Sequence, residues 1–73
     1  MELAFEITKR IPSRVVCMTS GLRPIYYIPE YRLHVEQKDE DTVWVWRDNQ
    51  LIQGRNLDEI LIRIGRVFKI CLK

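Results

Sequence analysis

The sequence lacks the features of several large functional classes. It has no uncharged apolar run of about 18 residues, so it contains no membrane-spanning helix. Glycine-rich nucleotide-binding motifs and calcium-loop spacing are missing as well. It has one histidine and two cysteines without Cys-x-x-Cys spacing, which argues against a structural zinc site. We therefore expect no metal, no cofactor and no small-molecule substrate.

What the chain does have is the composition of a small globular domain. It contains 73 residues, of which 47% are hydrophobic and 30% are charged, and this balance is typical of folded rather than disordered chains. At this length a single core is expected, so residues 1–73 are predicted to form one domain. A domain of this size buries only about 60% of its unfolded surface and has little stability to spare.

The charge is nearly balanced over the whole chain but unevenly distributed. The formal net charge is +2, which is too small to indicate a nucleic-acid-binding protein by itself. Residues 60–73 nevertheless carry four basic residues and no acidic residue, and form a local cationic segment.

The two cysteines and the N-terminal residues bear on the cellular compartment. Cys17 and Cys71 both have apolar neighbours, which favours two buried thiols over a single disulfide. The first residues lack the basic start and apolar run of a secretory signal. We expect a reduced, cytoplasmic setting.

Period-two alternation and turn residues predict a series of short strands. Pro24 and Pro29 bracket one uncertain segment, which is either a short edge strand or an extended connection. The other segments combine apolar alternation or valine-rich runs with flanking turn residues. The predicted strands are residues 3–8, 14–19, 31–37, 42–47 and 51–53, with residues 25–28 as the uncertain one.

A single helix is predicted over residues 57–72. Asn56 is a suitable N-cap, and Glu59 stands three residues later as in a capping box. Apolar residues recur at helical spacing from Leu57 to Leu72 and form one stripe. Because one amphipathic helix needs one apolar sheet face, the sequence predicts a two-layer α+β fold. Its mostly antiparallel sheet of four to five strands is covered on one face by the C-terminal helix.

The face that carries the tryptophans depends on the length of one loop. Trp44 and Trp46 point to one side of their strand, and Val43 and Val45 point to the other. An even loop after Gln37 would place the tryptophans beneath the helix, whereas an odd loop would place them outside with His34. Burying two tryptophans gains several kcal/mol in a small core, about 1.5–3 for each large side chain, so we predict the even loop.

This orientation would leave apolar residues uncovered on the opposite sheet face and on the helix. Clusters of exposed apolar side chains mark contact surfaces, although the N-terminal strands could cover some of them. The predicted partner-binding residues are Val43, Val45, Ile52, Ile62, Arg66 and Ile70. The corresponding function is a small non-enzymatic regulator or inhibitor that binds a protein partner or a second copy of itself.

Two other functions are weighed against this one. Nucleic-acid binding would use the basic residues of the predicted helix, which are Arg63, Arg66, Lys69 and Lys73. Catalysis is disfavoured because His34 has no nucleophile or carboxylate at a suitable spacing, so no catalytic residue is assigned. The acidic residues near Asp39 are interpreted as a solvated turn.

Overall fold

The computed structural model describes residues 2–19 and 23–72 as an α+β domain with two helices and five strands. The elements follow the order α1–β1–β2–β3–β4–β5–α2 along the chain. Their bounds are α1 Leu3–Lys9, β1 Val16–Thr19, β2 Pro24–Ile28, β3 Leu33–Gln37, β4 Val43–Arg47, β5 Gln50–Gly54 and α2 Leu57–Val67. Within the described residues, neither helix is long and apolar enough to cross a membrane.

The sheet is an antiparallel meander in which each strand pairs with the next one in the sequence. The predicted α+β class and antiparallel sheet are confirmed. The uncertain segment is a strand, since residues of β2 pair on both sides. Residues 14 and 15, by contrast, precede β1 instead of belonging to it. The residues Ser20 and Gly21 predict a turn after β1, and both lie outside the described residues.

The predicted first strand, residues 3–8, is wrong, because this segment forms helix α1. Its apolar residues fit two periods: Leu3, Phe5 and Ile7 alternate, whereas Ala4 and Ile7 lie three residues apart on one helix face. The helical arrangement buries Ala4 and Ile7 completely and leaves Phe5 exposed. Glu6 also lies 3.5–3.6 Å from the side-chain nitrogens of Lys9 and Arg10, at helical spacing.

Helix α2 begins where the sequence predicts and ends earlier. The Asn56 side chain accepts a hydrogen bond from the Glu59 backbone N–H, as expected for an N-cap. The helix ends at Val67 instead of residue 72, because Lys69 adopts a positive φ of 55° and turns the chain. Phe68 and Ile70 on either side of Lys69 are buried by this turn.

Both helices lie on the same face of the sheet and enclose the core with it. Helix α1 contacts β3 and α2, and helix α2 contacts β5. The sheet contributes buried residues from its three central strands, and the helical segments contribute the rest. The buried hydrophobic residues are Ala4, Ile7, Ile11, Ile28, Leu33, Val35, Val43, Val45, Ile60, Ile64, Phe68 and Ile70.

The predicted burial of the tryptophans is wrong, and the odd-loop alternative describes the structure. Gln37 pairs with Val43, so five residues separate the paired ends of β3 and β4. Val43 and Val45 consequently face the helices and are fully buried. Trp44 and Trp46 lie on the opposite face and are only half-buried.

The cysteine prediction is correct in one respect and wrong in the other. Cys17 and Cys71 are not joined by a disulfide, but both are exposed instead of buried. Cys17 lies on edge strand β1, and Cys71 follows the end of α2, so both sit at the margins of the core.

Tyr26 joins the sheet to the start of α1 and makes stability sensitive to alkaline pH. Its hydroxyl donates a 3.0 Å hydrogen bond to the Glu2 carboxylate. Burial, together with this contact, raises the pKa of Tyr26 from 10.0 to about 12. Because the neutral phenol is favoured in the folded state, its stabilisation is complete below the unfolded pKa and is lost as pH rises through the folded one.

We therefore expect the free energy of unfolding to fall between about pH 10 and pH 12, and Tyr26→Phe to reduce this fall. Denaturant unfolding of both proteins across that range, with Tyr absorbance to follow ionisation, measures the effect. Some dependence should remain in Tyr26→Phe, since the pKa of Tyr31 is also raised by burial and by its neighbour Glu30. An unchanged pH dependence in Tyr26→Phe would contradict this assignment.

Candidate functional site: the outer face of the sheet

The sheet face that turns away from the helices is formed by two rows of side chains that run across all five strands. In an antiparallel sheet, directly paired residues point to the same side, so the register defines each row. The first row contains Val16, Tyr27, His34, Trp46 and Leu51. The second row contains Met18, Ile25, Glu36, Trp44 and Gln53. We call these ten residues the outer face.

The outer face is unusually apolar for an uncovered sheet surface. A one-sided antiparallel sheet normally places polar residues on its water-exposed side. Here seven of the ten residues are aliphatic, sulfur-containing or aromatic, and neither helix packs on them. Met18 and Leu51 at the two margins are 47% and 52% exposed. The outer face is thus a continuous apolar surface that the fold itself does not bury.

Three rings of the first row stack across neighbouring strands. The His34 ring lies parallel to the Trp46 ring, with centroids 3.9 Å apart and an interplanar angle of 1°. Its other neighbour is Tyr27, at 4.7 Å between centroids. The imidazole therefore has an aromatic ring on each side, and Trp46 turns one indole face towards His34. These three side chains pack against one another, and each ring restricts the motion of its neighbour.

The second row contains one carboxylate, Glu36, which is paired with Lys38 just beyond the end of β3. The Lys38 ammonium, which follows β3, lies 3.0 Å from the Glu36 carboxylate and 4.3 Å from the centre of the Trp44 ring. The Trp44 indole N–H donates a 3.1 Å hydrogen bond to the Gln53 side chain. The polar side-chain groups of the second row are thus paired, and the outer face carries little net charge.

A shallow depression of about 340 Å³ adjoins the two tryptophans at the β4–β5 turn. Its apolar wall is formed by Trp44, Trp46 and Leu51, and carboxylates of Glu36 and Asp48 stand at its rim. Asp48 holds the turn with a positive φ of 50°. The outer face is therefore not flat: it has a depression into which an apolar side chain of a partner can fit.

His34 has the surroundings of a packing residue. Its Nδ1 atom is buried and makes no hydrogen bond within the described part of the chain. A catalytic histidine is normally oriented by a partner on one ring nitrogen while the other meets the substrate. The aromatic stack supplies contact area at His34 and gives no support to proton transfer.

The predicted partner-binding residues are scattered by the structure. Val43, Val45 and Ile70 are buried in the core, contrary to the expectation that they are left uncovered. Ile52 is half-buried on the helix side of the sheet, beside Val45. Ile62 is 59% exposed on α2, and Arg66 is exposed on the same helix.

The basic residues considered for nucleic-acid binding lie on the helix side of the molecule. Arg63, Arg66 and Lys69 are exposed, and Arg63 also donates a 2.7 Å hydrogen bond to the Gln53 backbone carbonyl. Lys73 lies outside the described residues. The aromatic outer face and the three described basic residues therefore occupy opposite layers of the fold.

The acidic loop forms a turn held by Asp39. The Asp39 carboxylate accepts hydrogen bonds from the backbone N–H groups of Asp41 and Thr42, at 3.0 and 2.9 Å. These bonds, with that from Asp41 foremost, lower the pKa of Asp39. Among residues 2–19 and 23–72, no group of three His, Cys, Asp or Glu residues is arranged to hold a metal ion.

The outer face was not predicted as a unit from the sequence, because its residues belong to five different strands. Asp39 marks a turn after β3, but no local signal distinguishes the five-residue loop between Gln37 and Val43 from the predicted four-residue loop. Comparison of the chain with protein-family models, with curated proteins and with solved structures gave no match, so the functional argument rests on this surface.

Proposed function

We propose that this chain is a small non-enzymatic interaction protein that binds a protein partner through the outer face. The observation that carries the proposal is a five-strand apolar surface that neither helix covers. Contiguous exposed apolar patches of several hundred Å² mark interaction sites in small proteins. Tyrosine and tryptophan are also the residues enriched at the centres of protein interfaces.

The geometry of the rings favours a protein partner over single-stranded nucleic acid. Nucleobases stack on aromatic faces that are open to solvent, in grooves that also neutralise phosphates. On the outer face, His34 and Trp46 stack on each other instead. Carboxylates line the nearby depression, and the exposed basic residues of α2 lie on the other layer.

We expect a negative charge introduced on the outer face to weaken partner binding while the fold survives. Met18→Glu and Leu51→Glu are suited to this test because both side chains are about half exposed. Each substitution should weaken binding at least tenfold, since an interface must then desolvate a carboxylate without a partner. Ile62→Glu is the matched control, an equally exposed apolar residue on the helix layer.

The measurement is affinity capture from a native extract after nuclease treatment, followed by titration calorimetry with the captured protein once it has been purified. Proteins retained by the unaltered chain and by Ile62→Glu, and lost with both outer-face variants, would support the proposal. Capture that is lost on nuclease treatment and on Arg66→Glu would instead support nucleic-acid binding by the helix. Binding that is indifferent to the outer-face variants would contradict the proposal.

A further inference from the structure

We infer that the partner for which the outer face is built is a second copy of this chain, packed sheet to sheet. This inference rests on the proposed function and narrows it to one occupant. Three observations support it. The two rows of the outer face can be superposed on each other by a two-fold rotation, the outer face carries little net charge, and its area is sufficient for a weak interface.

The register gives the outer face an approximate internal symmetry. Residues Cys17, Tyr26, Val35, Val45 and Ile52 form a single middle row, and the two outer-face rows lie at equal distances on either side of it. A two-fold axis parallel to this row would place each strand over the same strand of the other copy, running in the opposite direction. Every residue of the first row would then meet the second row of the other copy.

This arrangement brings compatible side chains together. Trp46 would face Trp44 of the second copy, and Leu51 would face the aliphatic part of Gln53, at the margin of the interface. The depression beside the tryptophans provides room for the opposing indole. Sheets packed face to face rotate by about 30° relative to this ideal, which preserves the central contacts and loosens those at the corners.

The charges of the outer face also permit self-association. Its single carboxylate, Glu36, is already neutralised by Lys38, so two copies meet without net repulsion. Across the two-fold axis, Glu36 would lie opposite His34 of the second copy, which can donate a hydrogen bond to a carboxylate. A nucleic acid or a strongly charged protein would find no complementary charge at the centre of this surface.

The area of the outer face indicates a weak dimer. Five strands about 4.8 Å apart and about 17 Å long cover about 400 Å² per copy. The dimer would therefore bury about 800 Å², which is below the roughly 1,000 Å² of a stable specific interface and in the range of transient ones. We expect a reversible dimer with a dissociation constant on the order of 100 µM, visible only at elevated concentration.

Analytical ultracentrifugation from about 1 µM to about 1 mM tests the inference directly. The unaltered chain should shift from monomer to dimer over this range. Leu51→Glu should raise the dissociation constant several-fold: Leu51 lies at the margin of the interface, but a two-fold interface contains the substitution twice. Ile62→Glu, on the helix layer, should leave the dissociation constant unchanged.

Two charge variants at the centre of the outer face sharpen the test. Glu36→Lys places a second cation beside Lys38 in both copies and should weaken the dimer at least tenfold, whereas Glu36→Gln should leave the dissociation constant within about threefold of the original. Circular dichroism verifies that each variant is folded before its mass is interpreted.

A chain that remains monomeric up to about 1 mM would overturn the inference. A dimer that is insensitive to both Leu51→Glu and Glu36→Lys would overturn it as well. Either result leaves the proposed function standing if the capture experiment recovers a different protein that depends on the outer face. The proposed function itself fails only when neither a second copy nor another protein binds there.

Discussion

Replacing Gln37 by leucine should destabilise the domain by about 1–3 kcal/mol, although the substitution makes the core more apolar. Gln37 is 5% exposed and lies on the inner side of β3. Its side-chain carbonyl accepts a 2.9 Å hydrogen bond from the Ala4 backbone N–H, and its amide donates to the Thr42 and Asp39 carbonyls. One side chain thus connects α1, β3 and the loop that sets the β4 register.

The expected loss is large because α1 depends on this contact. A seven-residue helix is too short to be stable alone, and its first N–H groups need acceptors from elsewhere. Glu2 occupies the N-cap position without a side-chain cap among the described residues, so Gln37 supplies the acceptor from the sheet. In Gln37→Leu the buried Ala4 N–H loses its partner, whereas Thr42 keeps the Lys38 N–H as a donor at 2.9 Å.

Urea unfolding and hydrogen exchange of the Ala4 amide measure the effect. A domain of 73 residues typically has about 4–11 kcal/mol of stability, so the expected loss is a substantial part of the total. Gln53→Leu is the control: that glutamine is exposed and should change stability by less than about 1 kcal/mol. Equal stabilities for the two variants would show that α1 is held by apolar contacts alone.

The dependence of α1 on Gln37 also explains why the helix could not be predicted from its own sequence. Over seven residues, alternation of Leu3, Phe5 and Ile7 is as regular as the helical spacing that joins Ala4 to Ile7. Local pattern does not decide between them. The helix is selected by contacts with the sheet. The sheet provides an apolar surface and a hydrogen-bond acceptor that lies more than 30 residues away in the sequence.

The orientation of the tryptophans was mispredicted for a related reason. The argument for burying them assumed that one helix covered the sheet and that its core would otherwise be too small. Helix α1 and the turned segment after α2 supply the missing apolar volume, with Ile7, Ile11 and Ile70 in the core. Val43 and Val45 then fit beneath the helices, and the bulkier indoles are left for the outer face.

Other parts of the fold could be predicted because they depend on residues that are close together in the sequence. The antiparallel meander follows from short alternating strands joined by turn residues, and the start of α2 follows from Asn56 and Glu59. The outer face could be predicted only in part. His34 was predicted to lie on the side away from the helix, as it does, but the residues beside it depend on the number of residues in the β3–β4 loop.

Replacing Gly54 by alanine should destabilise the domain by about 1–3 kcal/mol. Gly54 is the last residue of β5 and faces α2, where an added Cβ would lie 2.7 Å from Ile60 Cδ1 and 3.1 Å from Ile60 Cβ. The second distance involves the stem of a fully buried side chain, which cannot move without shifting the helix. At a strand position without such a contact, alanine would stabilise the domain relative to glycine by about 0.5–1 kcal/mol. A lower free energy of unfolding for Gly54→Ala would therefore indicate the steric contact with Ile60.

Gly65→Ala is the matched control and should have the opposite sign. An added Cβ at Gly65 would meet only the Ile70 carbonyl oxygen at 3.7 Å, an ordinary van der Waals distance. Gly65 therefore faces the returning C-terminal segment and does not mark a close approach to the sheet, so alanine in this helix should stabilise the domain by about 0.5–1 kcal/mol. Urea unfolding of both variants gives the two free energies directly.

A double-mutant cycle with Ile60→Val shows whether the Gly54 effect comes from that contact. Valine removes Cδ1, the atom nearest to the added methyl group, so the double variant should lose about 1 kcal/mol less than the sum of the two single losses. Additive losses would place the cost of Gly54→Ala somewhere other than Ile60.

The close fit of β5 against α2 holds the inner side of the β4–β5 hairpin, and the outer side of that hairpin presents Trp44, Trp46 and Leu51. We therefore expect Gly54→Ala to weaken self-association as well, by loosening the hairpin that carries half of the aromatic surface.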